Sequence, residues 1–229
     1  PGIIAVMVWK ITQNMSSAII ILGIAVLMIF VASPDYKRFV IMALLGSAGA
    51  ALIVFAIVKI ANSPELTEKL GFRGLRILAW LNPEAYADGK GFQTLQALYA
   101  IGSGGIFGKG LGESIQKLGF LPEAQNDMIF SIICEELGLF GAGFVLILFL
   151  ILIWRFFVIA THANDLFGAL IATGAMGHMM IQVILNIAVV TNTIPNTGIT
   201  LPFISYGGTS VMFLLVEMGL VLSVSSWVK

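Results

Sequence analysis

Residues 137–154 read LGLFGAGFVLILFLILIW, an uncharged run that decides what kind of protein this is. A membrane-spanning helix needs about 20 mostly apolar residues. The run reaches that length if the helix begins near Met128, which places Glu135 and Glu136 inside it. Further uncharged runs cover residues 11–34, 39–58 and 166–216. The sequence therefore predicts an all-α, polytopic integral membrane protein.

The composition indicates the same class. Of the 229 residues, 59% are hydrophobic and only 10% are charged, and the mean hydropathy is +1.01. These values are far from those of a water-facing domain. Positive and negative charges balance, and no basic run is long enough to neutralise a phosphate backbone, so we expect no nucleic-acid partner. Cys134 is the single cysteine, which excludes an intramolecular disulfide and predicts no Cys/His metal cluster.

The uncharged runs divide into five complete spans. The last run is too long for one helix, and several Pro and Gly residues interrupt it between positions 191 and 208. The predicted spans are residues 16–32, 39–58, a helix from Met128, 166–190 and 209–227. The first nine residues are typical of the end of another helix, so we expect a partial N-terminal span and a fragment whose earlier spans are missing.

Cations in the short loops predict the orientation. They are Lys37, Arg38, Arg155 and Lys229, and all fall on one side of the predicted bilayer, which the positive-inside rule makes cytoplasmic. Residues 59–127 and 191–208 are then extracytoplasmic. The 59–127 loop is a large insertion in a single membrane domain, residues 1–229. It holds or adjoins 16 of the 24 charges, so the chemistry should be sought there.

Residues 101–112 read IGSGGIFGKGLG, with six glycines in twelve residues. The spacing fits neither a P-loop nor a dinucleotide-binding fingerprint. Two interpretations remain open. The segment is either a structural loop that packs closely against helices, or a substrate-lining loop in which Lys109 donates to a phosphate.

Residues 121–130 read LPEAQNDMIF and lead into the third span. Asn126 or Asp127 is suited to cap that helix, because either side chain accepts hydrogen bonds from free backbone amides. Asp127, Ser131 and Glu135 also recur at four-residue spacing, which places them on one helix face. Carboxylates that enter a bilayer are costly and indicate function. Both interpretations of Asp127 stay open on these residues alone.

Other polar residues lie inside the predicted spans. Glu136 points about 100° away from its neighbouring glutamate, so we expect it to pair with a cation on another helix. His178, Gln182 and Asn186 share one helical stripe, which indicates either interhelical hydrogen bonds or a polar wall of a lipid-headgroup cavity. Glu217 has no local partner, and we expect its partner in the missing N-terminal half.

Three strings resemble the SEDS family (shape, elongation, division and sporulation). They are GFQTLQALYAIGSGGIFGKGLG at 91–112, LPEAQNDMIFSIICEELG at 121–138 and NTGITLPFISYGGTS at 196–210. The resemblance runs over essentially the whole chain and covers what look like the last five of that family's ten spans. Leu-Pro-Glu-Ala before Asp127 and Ile-Thr-Leu-Pro before Phe203 are more similar to the division branch, FtsW and SpoVE, than to RodA.

The resemblance implies a peptidoglycan glycosyltransferase that polymerises lipid II at the outer face of the plasma membrane. It implies a class B penicillin-binding protein and other division proteins as partners, and a place at the division septum. It identifies Asp127 as the catalytic residue, because Asp127-Met128-Ile129-Phe130 stands where the family has Asp-Phe-Ile-Phe. We expect substrate contacts from seven more residues: Glu123, Lys109, Lys117, Gln93, Gln182, Asn186 and Ser205.

The chemistry of glycosyl transfer fits this assignment. A carboxylate serves as the base that accepts the proton of the acceptor hydroxyl. Lys109, Lys117 or a divalent cation, Mg²⁺ or Mn²⁺, would stabilise the departing polyprenyl pyrophosphate. No metal ligands are assigned among the residues.

Two other functions remain open. Polar stripes and a segment interrupted by Pro and Gly are also typical of transporters. One alternative is therefore a flippase or transporter for lipid-linked precursors. The third alternative is a noncatalytic scaffold that activates a penicillin-binding protein. The concentration of charge in an external loop, away from the bilayer midplane, favours the enzyme over the transporter.

Overall fold

The computed structural model describes residues 1–12, 15–33, 36–61, 72–89 and 91–227. In these ranges it contains helices and no strand, which confirms the all-α class. The α-helices are α1 Gly2–Thr12, α2 Met15–Ala32, α3 Tyr36–Ala61, α4 Phe72–Leu81, α5 Phe92–Gly104, α6 Ile129–His162, α7 Leu166–Val190 and α8 Gly208–Ser226. Two single-turn 3₁₀ helices cover Glu84–Tyr86 and Gln116–Leu118.

Helices α6, α7 and α8 are long and apolar enough to cross a membrane, judged by length and composition. Helices α2 and α3 coincide with the predicted spans 16–32 and 39–58. Their described apolar stretches, Ser16–Ala32 and Phe39–Gly49, are shorter than the about 20 residues that a membrane span requires. The count of five spans therefore stays a prediction. Lys229, one of the cations behind the predicted orientation, lies outside the described residues.

Helix α6 contains a break that the sequence pattern did not predict. It starts directly after Met128, as expected, but Gly138 has φ 67° and ψ −170° and interrupts the helix. The segment after the break, residues 139–162, is about 36 Å long at 1.5 Å per residue. This length is greater than the thickness of the hydrocarbon core, about 30 Å.

Helix α7 lies at the centre of the described bundle and packs against α2, α6 and α8. Small residues allow the close approach of α2. A Cβ atom on Gly23 would lie 2.6 Å from Ile181 Cδ1, and one on Gly177 would lie 2.7 Å from Leu27 Cδ1. Close packing through small residues is the usual way in which membrane helices associate, because lipid provides no hydrophobic drive between them.

The described part of the segment 59–127 consists of short helices joined by turns. It contains α4, α5 and both 3₁₀ helices, and α5 packs against α6. This packing brings the segment beside the start of α6, where the acidic residues lie. Its extracytoplasmic location, and the single domain 1–229, stay predictions.

Candidate functional site

Asp127 lies in the turn before α6 and lines a cavity of about 280 Å³. The residue is 7% exposed, and its Oδ1 atom is buried with no hydrogen-bond partner among the described residues. The helix-cap interpretation is wrong, because Met128 occupies the N-cap position of α6 and no side chain caps it. Asn126 instead donates from Nδ2 to the carboxylate of Glu123. A carboxylate that lines a cavity and has an oxygen without a partner among the described residues is a candidate to bind a ligand there.

Burial raises the pKa of Asp127 to about 6, because the protein removes water from the carboxylate. A hydrogen bond from the backbone of Asp127 lowers the pKa and offsets part of this effect, while the nearby Glu123 carboxylate raises it. A carboxylate with a pKa near neutrality is both ionised at pH 7 and basic enough to take a proton during a reaction.

Asn186 of α7 holds the backbone of Asp127 in place. It is fully buried, and its Nδ2 atom donates to Asp127 O and to Ile199 O, at 2.7 Å each. One side chain therefore joins the turn before α6 to the chain that follows α7. Its position fixes where the carboxylate of Asp127 lies.

Ser205 makes a second attachment to the same turn. Its Oγ atom donates to Asn126 O at 2.6 Å and accepts from Leu201 N at 2.7 Å. The amide of Tyr206 also donates to Gln125 O at 2.8 Å. The segment between α7 and α8 thus pairs with residues 123–127, here called the acidic turn. The strings at 121–138 and 196–210 therefore form one structure.

The rest of the cavity wall comes from α4, α5 and the segment after α7. Its lining residues besides Asp127 are Arg76, Ala79, Trp80, Gln93, Thr94, Glu123, Asn196, Thr197 and Gly198. Asn196 Nδ2 donates to Gln93 Oε1 at 2.8 Å, and Trp80 Nε1 donates to Asn192 O at 2.9 Å. Thr197 Oγ1 is buried and has no partner among the described residues, like Asp127 Oδ1. The described part of the wall is polar, and its one cation is Arg76.

The glycine-rich segment packs against the break in α6. Four backbone hydrogen bonds of 2.9–3.1 Å join them: Lys109 N to Glu135 O, Gly110 N to Glu136 O, Leu139 N to Gly105 O, and Phe140 N to Ile106 O. A Cβ atom on Gly108 would lie 2.1 Å from Glu136 O, and one on Gly138 would lie 2.3 Å from Gly108 N. The interpretation as a closely packed structural loop is confirmed.

Buried Glu135 anchors the loop through its side chain. The carboxylate accepts from Lys109 Nζ at 2.6 Å and from Ser114 Oγ at 2.5 Å, with longer bonds from Ser103 Oγ and the amides of Ile115 and Gln116. Beside it, Lys117 Nζ lies 2.5 Å from Glu136 Oε1. The expected pairing of Glu136 with a cation is confirmed, and that cation lies on a 3₁₀ helix.

The polar stripe of α7 contacts α8 and the segment between α7 and α8. His178 Nδ1 lies 2.9 Å from Glu217 Oε2, and Gln182 Nε2 donates to Thr200 Oγ1 at 3.3 Å. The expectation that Glu217 finds its partner in a missing half is therefore wrong, since His178 supplies one within the chain. His178, Gln182 and Glu217 also line a separate cavity of about 420 Å³ against α2.

Comparison with known proteins assigns this arrangement to a family. The family model for the FtsW, RodA and SpoVE proteins, described as "Cell cycle protein", matches residues 2–229. The chain belongs to the FtsW/RodA/SpoVE family.

Individual relatives agree with that membership. The chain is 43% identical over 214 residues to stage V sporulation protein E of Bacillus subtilis (strain 168), covering 93% of this chain and 55% of the relative. It is 42% identical over 216 residues to "Probable peptidoglycan glycosyltransferase FtsW" of the same organism, covering 94% and 53%. The chain spans about half the length of the curated relatives it matches. Membership confirms the resemblance to SEDS proteins and shows that the chain is a membrane protein.

A solved structure shares the fold. It is described as "Structural coordination of polymerization and crosslinking by a peptidoglycan synthase complex", and it superposes with a TM-score of 0.68 at 26% identity. The match covers 96% of this chain and 57% of the other.

In this FtsW/RodA/SpoVE family member, only part of the predicted substrate set meets around Asp127. Gln93 and Glu123 line its cavity. Glu123 and Lys117 also line an adjacent cavity of about 600 Å³, whose other walls are mostly apolar. Among the others, Asn186 and Ser205 bind the backbone of the turn, Lys109 pairs with Glu135, and Gln182 lines the cavity against α2. Their substrate contacts stay predictions.

Sequence reasoning missed the wall that α4 supplies. Arg76 and Trp80 lie far from Asp127 along the chain, and neither belongs to a recognised string. Their spacing of four residues on one helix face was the available signal. Within the described residues, no group of three or more His, Cys, Asp or Glu side chains could hold a metal ion, and the divalent-cation prediction is untested.

Proposed function

We propose that the protein to which this chain belongs is a peptidoglycan glycosyltransferase that polymerises lipid II, and that Asp127 is its general base. The observation that carries the proposal is the carboxylate of Asp127, which lines a polar cavity, has a pKa raised to about 6, and has a buried Oδ1 atom without a hydrogen-bond partner among the described residues. The names of its relatives support the substrate class.

The reaction is a single inverting displacement. The hydroxyl oxygen of the acceptor sugar attacks the anomeric carbon of the donor, and the bond from that carbon to the pyrophosphate oxygen breaks. The carboxylate of Asp127 takes the hydroxyl proton, and the polyprenyl pyrophosphate leaves with the bonding electrons. One base is enough for this step, and Asp127 is the one buried carboxylate among the described lining residues.

Positive charge near the leaving group lowers the barrier because negative charge develops there. Arg76 is the cation in the cavity of Asp127, and Lys117 lines the adjacent cavity. We therefore add Arg76 to the predicted lysines as a pyrophosphate contact. Gln93, Glu123 and Asn196 supply polar groups for sugar hydroxyls on the same wall.

A divalent cation is compatible with these residues. Mg²⁺ is usually bound through one or two carboxylates together with substrate phosphates, without a full protein cage. Glu123 and Asp127 face the same cavity and are oxygen donors of the type that Mg²⁺ and Mn²⁺ accept. Such an ion would supply positive charge to the pyrophosphate, and Glu123 is the residue proposed to hold it.

The partners and location follow from the same relatives. A class B penicillin-binding protein is proposed as the cross-linking partner, because the similar solved structure is described as a peptidoglycan synthase complex. The division septum is proposed as the location because of the similarity to FtsW proteins.

One experiment separates the three candidate functions. Full-length protein in liposomes is incubated with fluorescent lipid II, and both polymer and transbilayer movement are measured. Polymer formation is the expected result. Movement of lipid II without polymer would instead identify a flippase, and neither signal, with stimulation of an added penicillin-binding protein, would identify a scaffold.

A further inference from the structure

The glycine-rich loop carries large apolar side chains that project away from the protein. Ile106, Phe107 and Leu111, here called the apolar prong, are 64%, 83% and 77% exposed. Lys109, in the same loop, forms an ion pair with Glu135. Exposed apolar side chains concentrated in one segment mark an interaction site more often than a surface that faces water.

The register of α6 places the prong near the outer edge of the hydrocarbon core. Trp154 and Arg155 are residue types that lie at membrane boundaries, here the cytoplasmic one. About 20 helical residues cross the core, so the outer boundary falls near Glu135. The break at Gly138 then lies slightly inside the core, about one turn deeper.

The glycine-rich loop is hydrogen-bonded to α6 next to the break at Gly138. Leu139 and Phe140 follow the break, are 71% and 75% exposed, and begin the apolar surface of the spanning segment. Their amides donate to Gly105 O and Ile106 O, so the loop backbone lies directly against them. The prong is therefore continuous with the surface that α6 presents to lipid.

We propose that the apolar prong inserts into the outer leaflet of the membrane and contacts lipid acyl chains. The loop is then a membrane anchor within the segment predicted to be extracytoplasmic. Through Glu135 and the backbone bonds around Gly138, it sets the height of the start of α6 relative to the lipid surface. The proposal rests on exposure and helix register and does not depend on the proposed enzyme activity.

Depth-dependent fluorescence quenching tests the proposal. Full-length protein, with Cys134→Ala and any cysteine outside residues 1–229 also replaced by alanine, receives one new cysteine, Phe107→Cys or Leu111→Cys, and is labelled with the environment-sensitive dye NBD. The proteins are reconstituted into phosphatidylethanolamine/phosphatidylglycerol vesicles with or without doxyl-labelled lipid. Exposed Glu84, labelled after Glu84→Cys, is the matched control in a charged part of the same segment.

Dyes at both prong positions should be quenched at least twofold more by doxyl lipid than the dye at position 84, and at least twofold less by aqueous iodide. Iodide quenching equal to that at position 84 would overturn the proposal. Protection from both quenchers would also overturn it, because a protein surface would then cover the prong. Thermal unfolding of each labelled protein identifies misfolded variants, and Ile106→Cys replaces any variant that fails this check.

Discussion

Asp127 shows how a single residue acquires its chemistry from its surroundings. The sequence identified it by its motif and by its position before an apolar helix, but also allowed a helix cap. The start of α6 distinguishes these roles, because Met128 occupies the N-cap position and no side chain caps it. The raised pKa follows from burial of the carboxylate.

The first prediction is a pH dependence set by Asp127. A base must be deprotonated, so polymerisation should fall about tenfold per pH unit below a pH of about 6. Because the folded-state pKa lies above the ordinary value of 3.8, the native state binds more protons between these values, and stability should decrease as pH rises through this window. Initial rates and thermal unfolding from pH 4.5 to 8 check both trends. An acidic limb that survives in Asp127→Asn would assign the titration to another group.

The second prediction concerns Asn186. Asn186→Leu removes both hydrogen bonds and leaves the carbonyls of Asp127 and Ile199 without this donor, which costs about 1–3 kcal/mol for each buried group. Thermal stability and polymerisation should both fall. Thr173→Val, on the same helix, is the control and should affect activity less, since buried Thr173 donates to Ala169 O within α7 and has no bond to the turn before α6 among the described residues. Equal effects of the two substitutions would show that Asn186 does not position Asp127.

At the scale of elements, the break in α6 and the glycine-rich loop form one unit. The break exposes two carbonyls and two amides, and the loop supplies a partner for each. Glycine is required at both closest approaches, because a Cβ atom would meet backbone that has no room to move. The buried carboxylate of Glu135 holds the other end of the loop.

The third prediction tests this unit. Gly108→Ala places a Cβ atom 2.1 Å from Glu136 O at a φ of +78°, so it should destabilise the protein by more than about 1 kcal/mol. Gly102→Ala is the matched control, because Gly102 is helical and nothing lies within 4 Å of its added Cβ atom. Thermal unfolding of the detergent-solubilised full-length protein compares the two. An unfolding temperature for Gly108→Ala at or above that of Gly102→Ala would contradict the packing described.

At the scale of the molecule, the sequence predicted what depends on local pattern. Helices α6, α7 and α8 were expected because long apolar runs have one stable conformation in a bilayer. The break at Gly138 was not, since it is stabilised by a loop about 30 residues earlier in the chain. The cavity wall was also missed in part. Trp80 and Asn192 are 112 positions apart in the sequence, and their hydrogen bond is evident only in the folded structure.

The polar residues show the same difference between what local sequence pattern predicts and what tertiary contacts determine. Asn186 was singled out by its helical spacing, but its bond to Asp127, 59 positions away, depends on how α7 packs against the start of α6. Lys109 and Lys117 were expected to contact substrate because of their charge, and the structure pairs each with a glutamate. Composition and spacing indicate which residues are costly to bury, whereas tertiary contacts decide which partners they have.

The central claim is that Asp127 is the base of a lipid II polymerase, and the most direct measurement is the polymerisation rate of full-length Asp127→Asn with fluorescent lipid II. The substitution keeps the shape of the side chain but removes the proton acceptor. The rate should fall about a hundredfold to ten-thousandfold while thermal stability is unchanged or rises, because a buried charge is removed. Glu123→Gln, in the same cavity, should cost less. Polymerisation by Asp127→Asn at a near-normal rate would contradict the account.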